Sequence, residues 1–223
     1  MAVVGQQGSA SAARPGVRHA RDADVSESVL TKRTWLTSLA PWLAVTYIVG
    51  DAWVVRAIDI TRNYDIFIDE VTYTRIADNL ATGNGLTLYG TPFDLHPPAA
   101  FAIYALAIKV FALHGALANV LLGLRPFVAL IGSITCAVVY LLVGDLAKWY
   151  FGLVAAVIAA LDPFEIFYDS RVLLEAPAQL ASILTIYLFA RSLRPQSKWR
   201  SWTLVVLSGI AAGFAICTKE YFG

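Results

Sequence analysis

Two adjacent carboxylates, Asp69 and Glu70, stand in the stretch FIDEVTYTRIADNLATGNG of an otherwise apolar chain. A third acid, Glu175, opens a later apolar segment. A carboxylate within hydrogen-bond reach of a hydroxyl can act as a general base, and carboxylate oxygens also bind divalent metal ions. These three residues are therefore the candidate catalytic acids. Glu70 and Glu175 are also the candidate ligands of a divalent metal, whose requirement the sequence leaves open.

The local sequence also allows a purely structural role for these acids. An apolar stripe at helical spacing runs through residues 70–82, formed by Tyr73, Ile76, Ala77 and Leu80. The glycines of Gly83-Asn84-Gly85 end this predicted helix. Asp69 would then be the N-cap residue, and Glu70 and Glu175 would interact favourably with helix dipoles. From the local sequence alone, the structural and the catalytic interpretations both stay open.

Four other side chains are candidate substrate-binding residues: Tyr73, His96, Arg171 and Lys219. His96 precedes two prolines and is either an ordinary loop residue or a ligand for a phosphate or a metal. Lys219 follows the last apolar run and is either a snorkelling flank or a contact for an anion. His96 and Lys219 are therefore candidate contacts of an anion such as a phosphate.

The composition places these residues in a membrane protein. The chain is 58% hydrophobic and only 15% charged, and long apolar runs follow one another from Trp35 to Cys217. This pattern predicts an all-α, polytopic fold rather than a soluble domain. The formal net charge of +1 gives no indication of nucleic-acid binding. Both cysteines lie inside apolar runs, which favours packing roles over a disulfide.

Five apolar runs are the predicted membrane spans: about 35–55, 126–143, 149–167, 172–190 and 201–217. A further run, 97–113, reaches only roughly 26 Å as a helix, short of the ~30 Å hydrocarbon core. The basic loop 191–200 decides its assignment, because that loop lies on the cytoplasmic side only if 97–113 does not span. We therefore predict two juxtamembrane helices, 70–82 and 97–113, in one long outer loop.

The N-terminal segment 1–33 is small, polar and basic, and it lacks the apolar core of a signal peptide. We predict a disordered tail that its Lys and Arg residues place in the cytoplasm, on a multi-pass protein of the plasma membrane. Residues 34–223 then form one transmembrane module with its acidic loops on the non-cytoplasmic face. Because the sequence stops directly after an apolar run, we expect this module to be incomplete at its C-terminus.

Five short motifs follow one another along the chain: Ile68-Asp69-Glu70-Val71-Thr72-Tyr73, Gly83-Asn84-Gly85, His96-Pro97-Pro98, Ser170-Arg171-Val172-Leu173-Leu174-Glu175 and Thr218-Lys219. In this order they resemble the membrane-embedded GT-C glycosyltransferases, a resemblance that covers roughly residues 35–222. The most similar branch is family 39-like and contains the dolichyl-phosphate-mannose–protein mannosyltransferases and the bacterial aminoarabinose transferases.

The resemblance implies a function in the cell envelope. A sugar would pass from a polyprenyl-phosphate carrier to a lipid, glycan or protein acceptor on the outer face. The resemblance also implies two juxtamembrane helices in the first outer loop, and it puts the first acid of the pair, Asp69, at the acceptor. Direct displacement with one carboxylate base predicts inversion at the anomeric carbon.

Two other functions compete with the glycosyltransferase interpretation. A transporter or channel module would bind cations with its carboxylates, but such sites usually lie near the bilayer midplane, whereas these acids fall in outer loops. A truncated, inactive remnant would keep the motifs without the activity. The position of the acids favours the glycosyltransferase.

Overall fold

The computed structural model describes residues 42–58, residue 60 and residues 65–219. All candidate site residues belong to one compact unit, which begins at Val45. The predicted disordered tail, 1–33, and the beginning of the predicted span 35–55 lie outside the described residues.

Helices dominate the described part of the chain, as the composition predicts. They are α1 (42–57), α2 (Ile68–Ala81), α3 (Ala99–Val110), α4 (Leu117–Leu146), α5 (Trp149–Leu161), α6 (Pro163–Asp169), α7 (Glu175–Ser192) and α8 (Lys198–Ile216). Two antiparallel strands of two residues each, β1 (Thr87–Leu88) and β2 (Thr91–Pro92), form the only sheet in this part. The all-α class is therefore confirmed.

The apolar faces of α2 and α3 pack together against α4. On α2, Ile76 and Ala77 are fully buried, and Tyr73 and Leu80 lie partly buried against the same core. On α3, Phe101 is fully buried in this core. The predicted apolar stripe of α2 is thus confirmed. Because the stripe faces the core, the opposite face of α2 points away from it.

A hairpin carries the chain from α2 to α3. Gly83 and Gly85 have φ angles of +88° and +72°, which end α2 at little steric cost. The turn between the strands consists of Tyr89 and Gly90, whose positive φ angles of 52° and 83° are those of a type I′ turn. This turn returns the chain to His96, three residues before α3 begins.

The fourth helix is much longer than the span predicted at 126–143. It begins at Leu117 and has 30 residues, a length of about 45 Å. The predicted span lies inside this helix, which also accommodates an arginine and a proline. Arg125 pairs with a buried acid, and the Pro126 carbonyl accepts a hydrogen bond from Trp53 Nε1 at 3.0 Å.

The span predicted at 149–167 is broken in two. α5 and α6 meet at an angle of 63° around Asp162. The Asp162 side chain is the N-cap of α6, where its Oδ1 accepts from the Phe164 backbone N–H at 2.8 Å. Pro163 takes the first position of α6, where a missing N–H costs nothing. Asp162 and Pro163 therefore start a new helix instead of continuing α5.

Two described helices, α4 and α8, are long and apolar enough to cross a membrane, or three spans result if the bent α5–α6 pair counts as one. α3 has 12 residues, about 18 Å, which is too short to span and agrees with its predicted place at the membrane surface. The runs 172–190 and 201–217 correspond to α7 and α8 with shifted bounds. The count of five spans stays a prediction.

The contact between α4 and α5 depends on glycine. A Cβ atom placed on Gly152 of α5 would lie 2.5 Å from the Tyr140 carbonyl oxygen and 2.9 Å from the Gly144 nitrogen, both in α4. These are backbone atoms, which cannot turn aside as a flexible side chain can. Close approach through small residues is a common way to pack apolar helices in membranes.

We expect Gly152→Ala to destabilise the protein by about 1–3 kcal/mol, because the added methyl forces α4 and α5 apart. Gly209→Ala is the matched control, since a Cβ on Gly209 in α8 meets nothing within 4 Å. Thermal unfolding in detergent compares the two variants. An unchanged unfolding temperature for Gly152→Ala would contradict the close packing.

Candidate functional site

Glu70 is the most constrained acid of the site. Its side chain is fully buried, and its two oxygens accept from Arg125 Nε at 3.0 Å and Arg125 Nη2 at 2.8 Å. The backbone N–H of Val172 donates to Oε1 at 2.9 Å, and that of Phe67 to Oε2 at 3.3 Å. Glu70 therefore connects α2 to α4 and to the segment before α7.

Asp69 has the opposite environment. It is exposed in the first turn of α2, and its carboxylate makes no hydrogen bond or ion pair with the residues that the structure describes. The prediction that Asp69 is the N-cap is wrong, because α2 begins at Ile68 with Phe67 as its N-cap. Glu70 accounts for the earlier start, since its carboxylate accepts the Phe67 N–H as in one half of a capping box.

Tyr73 and His96 form a polar pair one helical turn from Asp69. The Tyr73 hydroxyl lies 3.1 Å from His96 Nε2, and the two rings meet edge to face at 5.6 Å. Burial, followed by the negative charges of Asp69 and Glu175, raises the pKa of Tyr73 to about 12. The hydroxyl therefore stays protonated at neutral pH. Both carboxylates are therefore near enough for their charges to act on this hydroxyl.

Glu175 and Lys219 form the second pair of the site. Lys219 Nζ lies 2.6 Å from Glu175 Oε1, and both side chains remain partly exposed. Glu175 opens α7, and Lys219 follows α8. Nearby, the Ala99 N–H at the start of α3 donates to the Cys217 carbonyl at 2.9 Å. This bond brings the end of α8 next to the segment that carries His96.

The structure thus gathers five predicted site residues around one accessible region: Asp69, Tyr73, His96, Glu175 and Lys219. Arg171 contacts other residues near the start of α2. Its guanidinium stacks over the Phe167 ring at 3.8 Å and pairs with Asp65 at 3.0 Å. Arg171 is almost completely buried, so its contact with a substrate stays a prediction.

Sequence reasoning missed two arginines that hold the acidic segments. Arg125 pairs with Glu70 inside the protein, and Arg56 pairs with the buried Asp169 at 2.8 Å. The Asp169 carboxylate lies where a Cβ on Gly132 would be, so that glycine makes room for it. An available signal was the position of Arg125 inside an apolar run, because a charged residue there needs a partner.

Both predicted metal ligands, Glu70 and Glu175, already have other partners, and the need for a metal stays a prediction. The described residues include no group of three or more His, Cys, Asp or Glu side chains that could hold a metal ion. Glu70 is surrounded by N–H donors, and Glu175 is paired with Lys219.

The match with known proteins covers this whole site. A family model described as dolichyl-phosphate-mannose-protein mannosyltransferase matches residues 52–223. The chain belongs to this family. Comparisons with curated proteins and with solved structures found no match.

Membership in the dolichyl-phosphate-mannose-protein mannosyltransferase family confirms the resemblance carried by the five motifs. It makes the protein a membrane glycosyltransferase, in agreement with its apolar helices. The matched segment also contains Arg56 and Arg125, the two buried arginines. Both belong to the framework that positions the acids of this mannosyltransferase-family site.

We expect Arg125→Met to destabilise the protein by about 3–5 kcal/mol, because it leaves the Glu70 carboxylate buried without its guanidinium. Arg194→Met is the matched control: Arg194 also pairs with an acid, Asp145, at 3.4 Å, but its side chain is 43% exposed. A pair so exposed contributes at most about 1 kcal/mol. Denaturant unfolding in detergent measures both, and equal stabilities would refute the structural role of the buried pair.

Proposed function

We propose that the protein transfers a sugar from a polyprenyl-phosphate donor to a hydroxyl of a lipid, glycan or protein acceptor. The contrast between adjacent acids carries this proposal. Glu70 is buried among N–H donors, whereas Asp69 is exposed with no hydrogen-bonding partner among the described residues. A general base must be able to reach its substrate and accept a proton, and Asp69 meets both conditions.

In the proposed reaction, Asp69 accepts the proton of the acceptor hydroxyl as that oxygen attacks the anomeric carbon. The bond between the anomeric carbon and the donor phosphate oxygen breaks, and the phosphate leaves with the electron pair. This single displacement inverts the anomeric configuration. Tyr73 is unsuited to be the base, because its pKa of about 12 keeps it protonated.

Lys219 and His96 are proposed to contact the donor phosphate. An ammonium group has three N–H donors, so the bond to Glu175 leaves Lys219 Nζ able to donate to a phosphate oxygen. Glu175 then acts by holding this ammonium at the site. If the Tyr73 hydroxyl donates to His96 Nε2, the ring carries its proton on Nδ1, which becomes a second donor for the phosphate.

We place the reaction on the non-cytoplasmic face of the plasma membrane. Supporting this orientation, Lys and Arg are concentrated in the N-terminal segment and in the loop 191–200, both assigned to the cytoplasm. The acids Asp69 and Glu175 then lie on the opposite face. A lipid-linked donor would reach them at the membrane surface, beside the short helix α3.

We expect Asp69→Asn to lower turnover by about 10²–10⁴-fold with folding intact, because the amide keeps the shape of the carboxylate but cannot take the proton. A transfer assay on the full chain in membranes, with a panel of polyprenyl-phosphate sugars, measures the loss. Asp78→Asn, the same change farther along α2, is the control and should retain activity. An Asp69→Asn enzyme with most of its activity would overturn the assignment of the base.

We expect Lys219→Ala to raise the apparent KM for the donor by about tenfold or more, because a charge-assisted hydrogen bond to phosphate is lost. Lys109→Ala removes an exposed lysine from the last turn of α3 and serves as the control. Initial rates over a range of donor concentrations give the donor KM of each variant. If the donor KM is the same in both variants, Lys219 only holds Glu175.

A further inference from the structure

A cavity lies between α4, α5, α6 and α7. Its volume is about 290 Å³, and its polar wall includes Arg56, Asp162, Glu165, Asp169 and Gln179. None of the residues proposed to act on the sugar donor or the acceptor lines it. The polar wall therefore has to be explained separately from the transfer reaction.

The charge of this wall is negative, with three carboxylates and one guanidinium. Arg56 is fully engaged: its Nε donates to Asp169, and its terminal nitrogens contact three backbone carbonyls and the Cys136 sulfur. Asp162 caps α6, and Glu165 Oε1 accepts only a long 3.4 Å hydrogen bond from Gln179. The cavity thus keeps an unbalanced negative charge.

One buried carboxylate oxygen in this wall lacks a donor. Asp169 is 1% exposed; its Oδ2 accepts from Arg56, but its Oδ1 has no hydrogen-bonding partner among the residues that the structure describes. A buried acceptor without a donor costs free energy. Because Oδ1 is closed off in this arrangement, the Asp169 carboxylate, which lines the cavity, has to turn toward it for a bound N–H group to satisfy this oxygen.

Part of the cavity wall is apolar and continues onto the surface. Val139, Ile158 and Ile183 line it, and Ile158 is 65% exposed. Val154 and Leu161 occupy the same face of α5 at helical spacing and are 56% and 59% exposed. An apolar stripe therefore leads out of the acidic cavity along a helix of a membrane protein.

We propose that this cavity binds the primary ammonium headgroup of a membrane lipid, with an acyl chain along the α5 stripe. A primary ammonium has three N–H donors, for Glu165 and for Asp169 once its carboxylate turns toward the cavity, and its charge balances the acids. The described residues hold no group fit for a metal ion, so the geometry favours an organic cation. The apolar stripe favours a lipid over a small soluble amine.

The test compares phosphatidylethanolamine with phosphatidylcholine, both zwitterionic. The choline headgroup is a quaternary ammonium without N–H donors, so it cannot satisfy the carboxylates. The full chain is reconstituted with equal amounts of both lipids, and native mass spectrometry counts the lipids retained. We expect phosphatidylethanolamine to be retained about tenfold over phosphatidylcholine. Equal retention of both lipids, or retention of neither, would overturn the proposal.

Two variants locate the bound lipid. Glu165→Gln removes one charge from the cavity and should abolish the preference for phosphatidylethanolamine. Asp94→Asn removes an exposed charge elsewhere and should keep it. If Glu165→Gln fails to fold, Ile158→Trp tests the same site without a change of charge, because the larger ring fills the apolar mouth and should displace the lipid. A preference unchanged in Ile158→Trp, or lost equally in Asp94→Asn, would refute the location.

Discussion

The buried ion pair between Glu70 and Arg125 is the constraint on which the site depends. A carboxylate in the interior is tolerated only with charged and hydrogen-bonded partners, and Glu70 has the guanidinium and two backbone N–H groups. Arg125 in turn donates to the carbonyls of Ile60 and Asp65, which lie before α2. One pair therefore fixes α2, α4 and the segments on both sides of the site.

This pair also sets the direction of Asp69. Adjacent residues of a helix point about 100° apart, so a Glu70 side chain held in the core leaves its neighbour on the accessible side. The same arrangement gives two chemically similar acids different environments. Because their environments differ, two adjacent carboxylates can have separate roles, one in structure and one in proton transfer.

A second buried ion pair, between Arg56 and Asp169, holds another acidic segment in the same way. Arg56 of α1 holds Asp169 of α6, and Gly132 of α4 leaves the space for that carboxylate. The two arginines come from apolar helices, and the two acids come from the first turn of α2 and the end of α6. Two buried ion pairs between helices thus hold the acidic segments of this dolichyl-phosphate-mannose-protein mannosyltransferase-family protein in place.

The sequence by itself determined the all-α membrane class, the apolar stripe of α2 and the motifs that the family match confirms, because composition and helical periodicity are local properties. It also named the residues gathered at the site, among them Asp69, Tyr73 and Lys219. Only the tertiary structure decided that Glu70 is locked while Asp69 is accessible, and that Lys219 meets Glu175 across 44 positions of the chain. Pairing between distant side chains depends on how the helices pack, and no local pattern records it.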